Sequence, residues 1–155
     1  MDIKRLLKSI SYSSLYGEPG GDVHGISYDS RKVRDGHVFV AIPGEKDDGT
    51  KYEGQAVQNG ALAIVTKAYN PEYSGVLQVI VDNPRLALAA LSREFYGNPS
   101  SKLPVIGITG TNGKTTTTYL IESIFKSASR RPVVIGTVNY RFMDSRIKAA
   151  IMLYM

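Results

Sequence analysis

The chain has 155 residues, 43% of them apolar and 21% charged, which places it among globular proteins and excludes a disordered chain. It contains no cysteine, so disulfides, thiol catalysis and cysteine-bound zinc are excluded, and its two histidines, His24 and His37, have no metal-ligand spacing. The net charge of +5 is uneven: residues 1–125 balance 13 basic against 13 acidic side chains, whereas 126–148 carry six basic ones against Asp144, without the interleaved aromatics of a nucleic-acid footprint.

Residues 2–10 set Ile3, Leu6, Leu7 and Ile10 at helical spacing opposite Lys4, Arg5 and Lys8, which predicts a short amphipathic helix on the first sheet. This N-terminus has no continuous apolar core of the signal-peptide kind. No window approaches the ~18 apolar residues of a membrane span. A soluble cytoplasmic protein, without membrane or nucleic-acid partners, is the expectation.

After the turn-rich 16–22 segment, Val23 to Tyr28 reads as a strand leading into Asp29-Ser30-Arg31, and His37 to Ile42 as a second strand closed by Pro43-Gly44. Residues 45–50 read as a surface loop of the ligand-contacting kind. Lys51 to Gly60 predicts a helix with Tyr52, Ala56 and Val57 inward and Gly60 as its stop. Strands follow at 62–66 and 76–81. Asp82 or Asn83 caps a helix over 85–96 with Leu88, Leu91 and Phe95 inward, Pro84 sits in its first turn, and Gly97 closes it.

The proline- and serine-rich stretch 98–103 predicts a linker between a domain over 1–97 and a second over 104–155. The second opens with the β-branched run Val105, Ile106, Ile108, passes glycines at 107, 110 and 113, and enters a helix at Lys114-Thr115, with Leu120, Ile121, Ile124 and Phe125 inward. A strand from 133 to about 138 completes one βαβ unit. A single such unit leaves a sheet's edges and faces uncovered, so 104–155 reads as the opening of a domain.

Strand, glycine loop and helix in that order suit polyphosphate. Small residues let backbone N–H groups turn inward around the phosphates, and the helix N-terminus adds partial positive charge. Lys114 then reaches the β- and γ-phosphates and the Thr115 hydroxyl sits on Mg2+. The G-x-x-x-x-G-K-[ST] pattern is imperfect, because it wants glycine where Ile108 stands. The other reading is a glycine-rich βα turn with an incidental lysine.

The run from Phe95 to Thr118, with Thr109-Gly-Thr-Asn-Gly-Lys-Thr-Thr116 at its centre, resembles the Mur ligase family of peptidoglycan synthesis, as do Tyr28-Asp-Ser-Arg31, Val38-Phe-Val-Ala41, Asp48-Gly49 and Asn59-Gly-Ala61 upstream. The resemblance is strongest to the branch that adds the third, diamino acid residue, and runs to about Ala150. It implies an α/β protein: a small substrate domain, then the start of a parallel α/β ATPase domain of the phosphate-loop type. A third domain would bind the incoming amino acid.

The implied activity is that of an ATP-dependent acid–amino-acid ligase. ATP phosphorylates the free side-chain carboxylate of D-glutamate in UDP-MurNAc-L-Ala-D-Glu, and the amine of meso-diaminopimelate or L-lysine attacks the acyl phosphate. A monomer is expected. Carried over by residue, Gly110, Thr111, Asn112, Gly113, Lys114, Thr115 and Thr116 would bind ATP, with Lys114 as the catalytic residue and Thr115 as metal ligand. Ser30, with Tyr28 through its backbone, would contact the uridine nucleotide, and the loop after Pro43-Gly44 corresponds to another nucleotide-contacting segment, where Glu45, Lys46 and Asp47 do not match a fixed family pattern. Without the resemblance, Ser30 and Arg31 read as a polar turn with an ion pair.

Where the family has an Asn-Thr-Thr motif, this chain reads Ile151-Met-Leu-Tyr-Met155. The expectation is therefore a truncated or frameshifted ligase that does not complete the reaction alone. A binding module or remnant without catalysis, and an unrelated phosphate-loop ATPase, are the alternatives.

Overall fold

The computed structural model describes residues 1–44, 48–136 and 138–142, and the backbone of 145–148. The chain divides into two compact units, Met1–Pro104 and Val105–Met155.

The first unit begins with helix α1 (Ile3–Leu7), capped by the Asp2 side chain, which accepts from the Arg5 N–H at 3.1 Å. Four strands follow as a parallel set, β2 (Gly25–Ser27), β3 (His37–Val40), β4 (Ala61–Thr66) and β5 (Leu77–Ile80), with β1 (Ser14–Tyr16) antiparallel to β5 at the edge. The sheet order is β1-β5-β4-β3-β2. Helix α2 (Glu53–Gln58) joins β3 to β4, and α3 (Pro84–Phe95) follows β5 with Asn83 as its cap and Pro84 at its first turn.

Strand alternation explains the two cores. Val38 and Val40 of β3, with Ala63 and Val65 of β4, pack with Ile3, Leu6, Ala87 and Leu91 of α1 and α3. The alternate residues Phe39, Ala41 and Ile64 pack with Ala56 of α2 on the other face. The strands are buried on both sides, as a parallel sheet covered by helices must be.

The second unit carries α4 (Lys114–Ser127) and an antiparallel three-stranded sheet, β6 (Val133–Ile135), β7 (Asn139–Phe142) and β8 (Ser145–Lys148), in that order. The predicted strand at 105–108 is not formed. A strand exists through its ladder, and this stretch pairs with nothing among the described residues, leaving Val105 and Ile106 exposed. The expected βαβ unit is corrected accordingly, since β6 pairs antiparallel with β7.

Two inward faces also differ. A 3-10 turn over Gly49–Tyr52 shifts the phase of the next helix, so Glu53, Ala56 and Val57 face in and Tyr52 faces out. On α4, Leu120 and Ile124 are 61% and 66% exposed. The covered stripe is Thr118, Ile121, Glu122 and Phe125, on which Glu122 meets Arg141 of β7. Among the described residues, no helix is long and apolar enough to cross a membrane.

Candidate functional site

The carboxyl ends of parallel strands are where α/β proteins open a ligand crevice, since the chain there turns from sheet to helix and frees backbone groups. In the first unit the end of β2 supplies Tyr28 to Arg31. Ser27, buried, donates its hydroxyl to the Asp29 carbonyl at 2.8 Å and accepts from the Asp29 N–H at 3.1 Å, which fixes the turn. Asp29 accepts from the Arg31 N–H and is gripped by its guanidinium, Nε to Oδ1 at 2.8 Å and Nη2 to Oδ2 at 2.9 Å. That fork holds the Asp29 carboxyl below its usual range. The polar turn with an ion pair is thus present.

Tyr28 is 52% exposed, whereas Ser30 is only 5% exposed and engaged twice by α2 and its end. The Ser30 hydroxyl donates to Gln55 Oε1 at 2.5 Å, and its carbonyl accepts from Asn59 Nδ2 at 2.9 Å. Beyond β3, Asp48 accepts from the Thr50 N–H at 3.0 Å, and this bond holds its carboxyl below the usual range. Gly49 donates its N–H to the Ile42 carbonyl at 3.0 Å. Glu45, Lys46 and Asp47 lie outside the described residues.

At the head of α2, Glu53 is 3% exposed; its carboxyl meets the Thr66 hydroxyl at the end of β4, while Oε1 has no hydrogen-bond partner among the described residues. Burial pushes its carboxyl above the ordinary range.

In the second unit, residues 104–110 carry no regular secondary structure, the chain bends over 111–113, and α4 begins at Lys114. Gly110 has φ +145° and Gly113, the residue before the helix, φ +76°, both in the region that glycine enters without a Cβ penalty. The Lys114 ammonium folds over this turn, donating to the carbonyls of Gly110 and, at 3.3 Å, Thr111. Thr111, Asn112, Thr115 and Thr116 are exposed around it. Residues 110–116 thus lie at one helix start, with the Lys114 cation over the turn and exposed, not in a core.

Sequence reasoning did not anticipate a second cluster in this unit. Arg141 of β7, buried, donates from Nε to Glu122 Oε2 of α4 at 2.8 Å and from Nη1 to Asn139 Oδ1 at 2.6 Å, and lies 4.0 Å over the Tyr119 ring. Lys126 pairs with the other Glu122 oxygen at 2.9 Å. No local sequence signal marks this pair, because Arg141 lies 19 positions beyond Glu122. Among the described residues, no group of three or more acidic or histidine side chains is arranged to hold a metal.

Comparison with known proteins gives a consistent picture. A model described as the Mur ligase family, catalytic domain, matches residues 22–96, and one described as the Mur ligase middle domain matches 108–151. The chain is 43% identical over 144 residues to the UDP-N-acetylmuramoyl-L-alanyl-D-glutamate--2,6-diaminopimelate ligase of Caldanaerobacter subterraneus, covering 93% of this chain and 30% of that protein. It is 40% identical over 149 residues to the same-named ligase of Geobacter metallireducens, covering 96% and 29%. A solved structure of a UDP-N-acetylmuramoyl-L-alanyl-D-glutamate--2,6-diaminopimelate ligase superposes with a TM-score of 0.71 at 25% identity, over 94% of this chain and 29% of the other. A MurF ligase from Thermotoga maritima in complex with ADP gives 0.51 at 34% identity, over 66% and 23%. The chain spans about 30% of the length of the curated relatives it matches.

Proposed function

Because this chain belongs to the Mur ligase family, carrying its N-terminal and middle-domain sequence, we propose that it is part of an ATP-dependent amide ligase of peptidoglycan precursor synthesis. The proposed reaction joins a diamino acid, meso-diaminopimelate or L-lysine, to UDP-MurNAc-L-Ala-D-Glu through an acyl phosphate. In this reading residues 1–97 hold the nucleotide-sugar end of the substrate, 98–103 link, and 104–155 open the ATP-binding domain.

The observation that carries the proposal is the loop from Gly110 to Lys114. Two glycines with positive φ free the backbone to curl, a 14-residue helix starts at the end of the curl, and an ammonium lies over it. Phosphate oxygens offer that ammonium better acceptors than two loop carbonyls do, because their negative charge strengthens the hydrogen bond. Thr115, in the exposed first turn, fits Mg2+ as a single hydroxyl ligand, with phosphate and water filling the other positions. Mg2+ would supply charge neutralisation. The chain's own residues orient the triphosphate and its terminal phosphoryl group.

On the first unit, Ser30 and Tyr28 take the uridine nucleotide in this proposal. A monomer acting in the cytoplasm, with small-molecule substrates and no membrane or nucleic-acid partner, completes it. The test is to titrate ATP with Mg2+ and UDP-MurNAc-L-Ala-D-Glu separately into the 155-residue chain and to follow the melting temperature with each. A ligand that binds the folded form raises it by mass action. A rise with both supports the proposal; a melting point indifferent to UDP-MurNAc-L-Ala-D-Glu overturns the substrate assignment.

A further inference from the structure

We infer that Gln55 is a positioning residue that makes the Ser30 hydroxyl a hydrogen-bond acceptor for a donor group of the nucleoside, and bars it from donating to the diphosphate. The inference rests on the reading of Ser30 as a nucleotide contact and adds to it a residue and a polarity.

A serine hydroxyl has one proton to give and two acceptor sites. The Ser30 proton is committed to Gln55 Oε1 at 2.5 Å, an oxygen that only accepts. Asn59, four residues further along the same face, donates to the Ser30 carbonyl at 2.9 Å, so side chain and main chain of Ser30 are held from one side. Ser27 and Asp29 lock the turn from the other side. With its proton spent and its rotation fixed, the Ser30 oxygen has only lone pairs to offer. A phosphate oxygen has no proton to give them. The uracil N3–H and the ribose hydroxyls do.

Gln55 is itself exposed and Ser30 is nearly buried, so the glutamine acts as a surface brace on a buried serine. A carboxylate at position 55 would accept the same proton without being forced into the core. An apolar side chain of similar length would release it.

The experiment measures affinity of the full chain for UDP-MurNAc-L-Ala-D-Glu by calorimetry, with the melting temperature recorded for every variant. Gln55→Met is expected to weaken binding about tenfold, the size of one net hydrogen bond, and Gln55→Glu to restore it to within about threefold. Ser30→Ala is expected to weaken it by a similar factor, and Ser30→Ala with Gln55→Met to be no worse than either alone. The donor is identified with UDP, N3-methyl-UDP, 2′-deoxy-UDP and 3′-deoxy-UDP as probes: with one of the three analogues, the Ser30→Ala effect disappears.

The inference is overturned if the two substitutions multiply, if Gln55→Met binds as wild type does, or if the Ser30→Ala effect persists with all three analogues. Failure of the wild-type chain to bind any of these probes overturns instead the nucleotide reading of Ser30. If Ser30→Ala fails to fold, the Gln55→Met and Gln55→Glu pair decides the question alone, because position 55 lies at the surface.

Discussion

Arg141 on β7 reaches Glu122 on α4 with its Nε 2.8 Å from the carboxylate, and both side chains are buried. The pair lies on the covered face of the helix, while Leu120 and Ile124 face solvent. The guanidinium first, and then Lys126, hold the Glu122 carboxyl below its ordinary value of 4.5. Removing Arg141 leaves Glu122 with Lys126 as its remaining partner at 2.9 Å, so the cost is that of the lost charge-assisted hydrogen bonds and not of a lone buried charge.

Arg141→Met is therefore expected to destabilise the unit that contains α4 by about 1.5–3 kcal/mol, read by urea denaturation. Wild-type stability near the Arg141→Met value would show the pair to be dispensable.

The same pair sets an acid limit. A carboxyl whose folded pKa is depressed stabilises the fold above its unfolded value, and that contribution is lost as pH falls through the folded one. Glu122→Gln should lower stability at pH 7 and flatten the fall below about pH 4.5. Parallel pH–stability curves for wild type and Glu122→Gln would contradict this.

Glu53 has the opposite sign. Burial raises its carboxyl, so below about pH 4.5 it is neutral in both states, and as pH rises the unfolded chain ionises first and gains. Glu53→Gln removes that penalty while keeping an acceptor for Thr66. Its melting point should match wild type near pH 4 and exceed it at pH 7.5 by roughly 4–8 °C for each kcal/mol recovered. An equal difference at both pH values would sink the argument.

Much of the first unit was legible in the sequence because its signals are local. The continuous apolar runs of β3 and β4, the Asn83-Pro84 start of α3 and the Gly60 stop of α2 need no distant partner to be read. Edge strand β1 was not anticipated, since Ser14–Tyr16 becomes a strand only through pairing with Gln78 to Ile80. The second unit reverses the balance. Residues 105–108 have strand composition without a ladder among the described residues, and the covered face of α4 carries Glu122, whose partner Arg141 lies 19 positions beyond it. The helix start at Lys114 and the turn before it were legible because glycine spacing acts on the backbone directly. The Ser30–Gln55 bond was not, because it joins residues 25 apart.

Gly49 tests the shape of the first crevice. A Cβ there would stand 2.7 Å from both the nitrogen and the oxygen of Ile42, backbone atoms that cannot rotate away. Gly49→Ala should cost about 1–3 kcal/mol, whereas Gly20→Ala, where a Cβ meets nothing within 4 Å, should be nearly silent in the same thermal melts. Equal melting points for the two variants would show that the Gly49 contact relaxes.

The account stands most directly on the cation over the turn before α4. Calorimetric titration of ATP with Mg2+ into the 155-residue chain, wild type beside Lys114→Ala, measures it. Saturable binding that weakens at least about tenfold in Lys114→Ala is predicted, since a charge-assisted hydrogen bond to phosphate is worth more than a neutral one. Unchanged ATP affinity in Lys114→Ala, or no saturable binding to wild type, would contradict it.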